Sequence, residues 1–278
     1  MGGHSQIQKS CRLTNTRLRM SPYFSLPLIS FGAVSAIMII IYFWARAIKN
    51  NGIVDIFWAF NFLVIAVITW FLAEGNETRK MMVCGLAALW SLRLGTYLLI
   101  RVGGHIKEEE GRYKALRQEW SETVFFFFFQ GQAFSNVMLA IPYFLIALNP
   151  DQEIHLLEYT GSGLWAVAIL GEGLADYQLA RFKKDPANKG KVCQSGLWNY
   201  SRHPNYFFQL MIWISVFIMA LPSDYGYISI ICPLSIGYLI FKVTGIPMTE
   251  EQAVRSKGQL YVEYQRTTSA FVPWLKKN

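Results

Sequence analysis

Residues 196–209 read GLWNYSRHPNYFFQ, a cluster of groups that could bind a charged, partly aromatic ligand. Arg202 and His203 are able to pair with phosphate. Trp198 and Tyr200 can stack on a planar ring, and Pro204 suits the first turn of a helix. A helix starting beside Asn205 would turn its free backbone N–H groups toward an anion. Gln209 follows four residues later, on the same helical face. An interfacial aromatic belt with a helix cap accounts for Trp198, Tyr200 and Pro204, but not for two amide side chains at the head of an apolar run.

A second cluster precedes it, in GEGLADYQLARFKKDPANKGK. Glu172 and Asp176 lie on one helix face and can accept from ribose hydroxyls or a carboxamide. Arg181, Lys183 and Lys184 follow, and Lys191 comes after them, as partners for phosphates. The plain alternative is a solvated helix end with basic residues near lipid headgroups. No GxGxxG or GxxxxGK[ST] occurs, so a nucleotide here would be held by loops and helix ends rather than by a soluble nucleotide-binding fold. A third group consists of Asp55, Trp58 and Asn61 in one apolar run and Trp90, Arg93 and Tyr97 in the next. Asp55 and Arg93 form either a structural ion pair or part of a site in which Asp55 donates a proton to a substrate carbonyl. Trp58, Trp90 and Tyr97 would then shape a pocket open to lipid, with Asn61 and Arg93 in its wall.

The elements that must position these groups are membrane helices. The chain of 278 residues is 53% hydrophobic and only 16% charged, against about 25% charged in soluble domains. Its charges are clustered between apolar runs long enough to cross a bilayer, which takes roughly 20 residues. Seven spans are expected, at 24–45, 53–73, 81–100, 124–148, 159–175, 205–222 and 226–246, forming an all-α polytopic bundle. Residues 1–22 read as a basic tail and 23–278 as one domain, with a cofactor-binding half over about 159–278. Loops 101–122 and 176–204 and the C-terminal tail are rich in Lys and Arg, while loop 149–158 has three acids and no cation. The positive-inside rule then sets the C-terminus in the cytoplasm. Lys9, Arg12, Arg17 and Arg19 give an opposing signal at the N-terminus. The net charge of +8 follows from such loops and does not call for nucleic acid. The four cysteines lack CxxC spacing and the four histidines lack HxxxH, so no metal site is expected.

The motifs SRHPNYF, NNGIVDIFW and YVEYQRTTSAFVPW resemble those of the bacterial DUF1295 family of membrane proteins, over essentially the whole chain after residue 30. That family is related to the steroid 5α-reductases and sterol C=C reductases. The resemblance implies a seven-helix bundle that takes NADPH from the cytoplasm and reduces a C=C bond beside a carbonyl in a lipid or steroid-like substrate. In this likeness Asp176 matches a cofactor-contacting Asp, Lys191 an Arg, Asn205 a cofactor Asn, and Gln209 a Glu, while Glu172 replaces an Asn. Tyr261, Tyr264 and Arg266 would close over the cofactor. Asp55 falls close to a catalytic Glu, and Trp90 stands where the reductases carry Tyr, which leaves Tyr97 as the phenol to complete a carbonyl clamp. The competing likeness is to isoprenylcysteine and phospholipid methyltransferases, which share RHPxY and a downstream EE, here Glu250–Glu251, and bind S-adenosylmethionine. Phe207 and Phe208 depart from their usual x-Gly. A non-enzymatic lipid-binding role is the third reading. The expectation is an integral multi-pass protein, monomeric, of a bacterial inner membrane or the endoplasmic reticulum, with membrane lipids as its surroundings.

Overall fold

Helices are the only spanning elements whose backbone hydrogen bonds close within one segment, and the apolar runs of this chain become helices throughout. The computed structural model describes residues 20–104, 106, 109, 111–243 and 245–276. The basic tail and Cys11 lie outside them. α1 (Pro22–Ile48) starts with Pro in its first turn and ends at Lys49 in the left-handed conformation. α2 (Ile53–Leu72) and α3 (Glu77–Gly103) follow, and α3 is capped by the Asn76 side chain accepting from the Arg79 N–H. α4 (Gly111–Glu119) occupies a stretch expected to be loop. The fourth span is α5 (Glu122–Leu139) and α6 (Ile141–Leu148), interrupted at Ala140, two residues before Pro142. α7 (Leu156–Lys184) extends beyond the expected 159–175, and α8 (Pro204–Ala220) begins beside Asn205 as its Pro requires. The last run passes through a 3₁₀ turn (Gly226–Ile230), α9 (Ile231–Tyr238) and a π-helical segment (Leu239–Val243). Two helices not anticipated from the sequence, α10 (Ile246–Lys257) and α11 (Gln259–Thr267), close the chain.

Among the described residues, five helical runs contain a stretch long and apolar enough to cross a membrane: 22–48, 53–72, 77–103, 122–148 and 226–257, the last of them before its polar end, α10. α8 is a shorter apolar helix, and α7 is longer but more polar. Together they form an all-α polytopic helical bundle, the arrangement of a multi-pass membrane protein. Ile40, Phe71, Phe127 and Leu170 are each more than 60% exposed on the outside. Such a surface suits lipid rather than water. The five-phenylalanine run divides by helical phase: Phe125 and Phe129 are buried and Phe127 points out.

The crossings give the bundle two unlike ends. At one end Arg79 and Glu158 form a fully buried ion pair, Nε to Oε1 2.6 Å, and Arg79 also donates to the carbonyls of Asp151 and Glu153. This cross-brace fixes the loop between α6 and α7. The other, basic end carries the 49–52 turn, α4, the 185–203 connection and the α10–α11 pair. There α7 and α8 pack closely. A Cβ on Gly171 would come within 2.4 Å of the Phe208 ring, so the absence of a side chain there allows the approach. That approach brings Glu172 and Asp176 level with Asn205.

Candidate functional site

α3, α7 and α8 meet around a buried set of charges near the basic end. Arg93 of α3 pairs with Glu172 through Nη1–Oε2 at 2.9 Å and with Asp176 through Nη2. Asn205 Nδ2 donates to Asp176 Oδ1 at 3.4 Å. Glu172 and Asp176 are almost wholly buried, so two carboxylates share one guanidinium away from bulk water. Arg93 therefore pairs with α7 and not with Asp55, the alternative ion pair suggested by the sequence. Asp55 instead accepts from the Tyr113 hydroxyl of α4 at 3.0 Å.

Beside this set opens a cavity of about 420 Å³, within the roughly 300–1,000 Å³ typical of small-molecule sites. Asn205 and Tyr206 of α8 and Tyr97 of α3 line it, with Lys183 of α7. Trp198, Arg202 and His203 come from the connection before α8, and Tyr261 and Tyr264 from α11. α10 presents Gln252, Ser256 and Lys257 to the same space. The wall thus combines aromatic side chains with polar and cationic ones.

The SRHP stretch does more positioning than expected. Gly196 takes φ +60° at the start of a short 3₁₀ turn, a conformation that favours glycine. Trp198 Nε1 then donates to the Ala175 carbonyl at 2.9 Å, pinning this turn to α7. Ser201 forms a parallel bridge with Ser269, and its Oγ donates to the Phe271 carbonyl. Arg202 Nε donates to Glu250 Oε1 at 2.6 Å, while its Nη1 donates to the carbonyls of Gln265 and Thr268. His203 Nε2 lies 3.1 Å from the same Glu250 oxygen, and Gln265 Nε2 donates to the other at 2.9 Å. Glu250 lies in the polar α10, past the apolar run. Burial pushes its carboxyl up, but the hydrogen bonds from His203, Arg202 and Gln265 outweigh this and hold it at about 2. Arg202, expected to bind phosphate, is instead the centre of a latch that docks α10 and α11. Tyr264 belongs to the latch too: its hydroxyl donates to the Trp198 and Ser201 carbonyls, and burial raises the phenol above its usual range.

Of the expected cofactor residues, Lys183, Arg202, His203, Asn205, Tyr261 and Tyr264 line the cavity, and Glu172 and Asp176 adjoin it through Arg93 and Asn205. Gln209 sits partly buried one turn along α8, outside the lining. Lys191 and Tyr200 are exposed and also outside it. Arg266 faces solvent and pairs with Glu263 at 2.8 Å, so it does not cover the cavity. Among the expected catalytic and pocket residues, Tyr97 lines the cavity, with the Arg93 guanidinium 5.9 Å and the Arg101 guanidinium 6.0 Å from its ring centre. Trp90 is fully buried in edge-to-face contact with Trp58, Phe62 and Trp213. Asn61 donates to Asn136, and Trp58 to Ser135. These side chains fill the position where a lipid-open pocket was expected; they are packing, not lining. Lys257, Gln252 and Ser256 were missed, since a short polar helix after the last span gives no sign of folding back.

The chain matches the family described as "protein of unknown function (DUF1295)" over residues 41–268, and it belongs to that family. It is similar to an uncharacterized protein of Schizosaccharomyces pombe, 26% identical over 257 residues, covering 82% of this chain and 74% of the relative. No solved structure matches it.

Proposed function

We propose that this DUF1295 protein is a membrane oxidoreductase that binds NADPH in the cavity at the basic end, on the cytoplasmic side. Its substrate is a C=C bond conjugated to a carbonyl in a lipid or steroid-like molecule. The observation that carries the reading is a cavity lined by Asn205, which donates to Asp176 backed by Arg93, together with Lys183, two turns further along α7, and Lys257 of α10. A dinucleotide carries the matching groups, a carboxamide and phosphates.

When bound, NADPH supplies a hydride to the β-carbon of an enone. The chain holds and orients both reactants and keeps water out. Asn205, which donates to Asp176, would bond the carboxamide. Tyr206, whose ring stacks on His203 at 5.4 Å, and Tyr261 line the cavity and would offer rings for a planar group to pack against. Tyr97, whose ring lies close to the Arg93 and Arg101 guanidinium groups, would donate its proton to the carbonyl oxygen as negative charge develops there. Asp55, which accepts from Tyr113, lies outside the cavity lining.

The methyltransferase reading draws on Glu250–Glu251. Glu250 is engaged by Arg202, His203 and Gln265, and Glu251 pairs with Arg255 on the surface. Neither acid lines the cavity, and the cations in its lining favour a phosphate-bearing ligand over a sulfonium. To test the reductase, protein in nanodiscs is given NADPH deuterated at the transferable position and a panel of enone lipids. Deuterium should appear at the β-carbon of one product class and be lost with Tyr97→Phe. No transfer to any enone, with NADPH bound, would remove enone reduction as the activity.

A further inference from the structure

Glu172 and Asp176 stand one turn apart on α7, both almost wholly buried, and Arg93 of α3 pairs with both. The two acids are not served alike. Asp176 has a donor on each oxygen, Arg93 Nη2 on Oδ2 and Asn205 Nδ2 on Oδ1. Glu172 Oε2 lies 2.9 Å from Arg93 Nη1 but off the line of its N–H bonds, so neither atom completes a hydrogen bond. The Trp90 indole N–H, wholly buried one turn earlier on α3, lies against Glu172 and has no aligned acceptor either. The other titratable and charged groups that act here, Tyr97 and Arg101 of α3, act on Asp176. An ionised carboxylate taken out of water draws its donors into line, because an unmet charge there is costly. Two carboxyls side by side also disfavour double ionisation. The donors and the second cation thus favour charge on Asp176 and leave Glu172 as the neutral acid.

We infer that Glu172 and Asp176 hold one proton between them, resident on Glu172, and that this proton replaces the one Tyr97 gives up. Tyr97 is the member of the group that lines the cavity, one turn beyond Arg93 on α3. As hydride reaches the β-carbon, the conjugated electrons shift onto the carbonyl oxygen, which takes the Tyr97 proton. The phenolate then takes a proton from the acid pair. Both carboxylates are left ionised beside Arg93 until a proton from water restores the neutral acid, and the enol relaxes to the saturated carbonyl compound. In taking Tyr97 as the destination we rest on the function proposed above, whereas the proton on the acid pair does not depend on it.

The test is infrared spectroscopy of the full chain in an ester-free detergent at neutral pH. The wild type should show the C=O band of a protonated carboxyl. That band should shift when glutamate carboxyls carry an isotopic label and stay when aspartate carboxyls do, an assignment that needs no substitution. Glu172→Gln should abolish it. Asp176→Asn should abolish it too, because one acid facing one guanidinium ionises, while Glu251→Gln on the surface of α10 should leave it in place. A wild type without a glutamate band, or a band that survives Glu172→Gln, would overturn the shared proton. A band lost in Glu172→Gln but kept in Asp176→Asn would mark a lone neutral acid and overturn the pair. With an enone substrate, Glu172→Gln should release one product per chain in a first burst and then turn over about a hundredfold more slowly than the wild type. Loss of the burst as well would overturn the route through Tyr97. The band in a protein that reduces no enone would keep the proton on the pair and sink its destination together with the reductase reading.

Discussion

Glu250→Gln should loosen the C-terminal helices from the bundle while leaving the spans in place. The wild-type carboxylate accepts from Arg202, His203 and Gln265, and its side chain is only 15% exposed, so solvent screens it little. Holding the carboxyl at about 2, against an ordinary 4.5, corresponds to about 3 kcal/mol at about 1.4 kcal/mol per tenfold change in proton affinity. The neutral amide keeps the shape and one acceptor oxygen but loses the charge and the second acceptor, so Arg202, His203 and Gln265 can no longer share a carboxylate. The assay is hydrogen–deuterium exchange resolved by peptide. If the latch holds α10 and α11, their amides should exchange roughly a hundredfold faster in Glu250→Gln, the equivalent of about 3 kcal/mol, while α2 and α3 stay protected. The pH dependence has a fixed sign. A carboxyl whose folded value is depressed contributes fully above pH about 4.5, its ordinary value, and loses that contribution as pH falls toward 2. Protection of α10–α11, corrected for intrinsic exchange, should therefore decline over that window in the wild type and be flat in Glu250→Gln. Unchanged exchange in the variant would refute the latch.

Arg93→Gln leaves Glu172 and Asp176 buried without their shared counter-charge, and should cost about 3–5 kcal/mol, read as a lower unfolding midpoint in detergent. Gly171→Leu drives a side chain into the Phe208 ring; overpacking of this kind costs about 1–3 kcal/mol or more, and size-exclusion chromatography should show loss of the monodisperse species. At the opposite end, Glu158→Gln alone should destabilise strongly. The double replacement Arg79→Met with Glu158→Leu should recover part of that loss in thermal unfolding, because it removes both buried charges together.

The spans were legible because hydropathy acts locally: α2, α3 and α8 lie within a few residues of the expected 53–73, 81–100 and 205–222. The break at Ala140, ahead of Pro142, was written in the sequence, but the surrounding apolar run obscured it. What the sequence did not reveal is pairing across distance. Arg93 finds its partners on α7, and Arg202 finds Glu250 on a helix whose short polar pattern reads as a solvated tail. The RHP stretch stands out in the sequence, but the partner of its arginine does not, since a guanidinium suits a carboxylate as well as a phosphate, and here Arg202 pairs with Glu250. Trp90 illustrates the opposite case. An aromatic side chain in a span looks the same in sequence whether it lines a pocket or fills one, and here the rings of Trp58, Phe62 and Trp213 decide it.

The central claim is that the cavity beside Asn205 holds a nicotinamide dinucleotide. The most direct measurement is equilibrium binding of NADPH and S-adenosylmethionine, side by side, to the purified protein and to Asn205→Ala. The account predicts saturable NADPH binding that is strongly weakened in Asn205→Ala, with no binding of S-adenosylmethionine. Binding of S-adenosylmethionine alone, or of neither ligand, would contradict it.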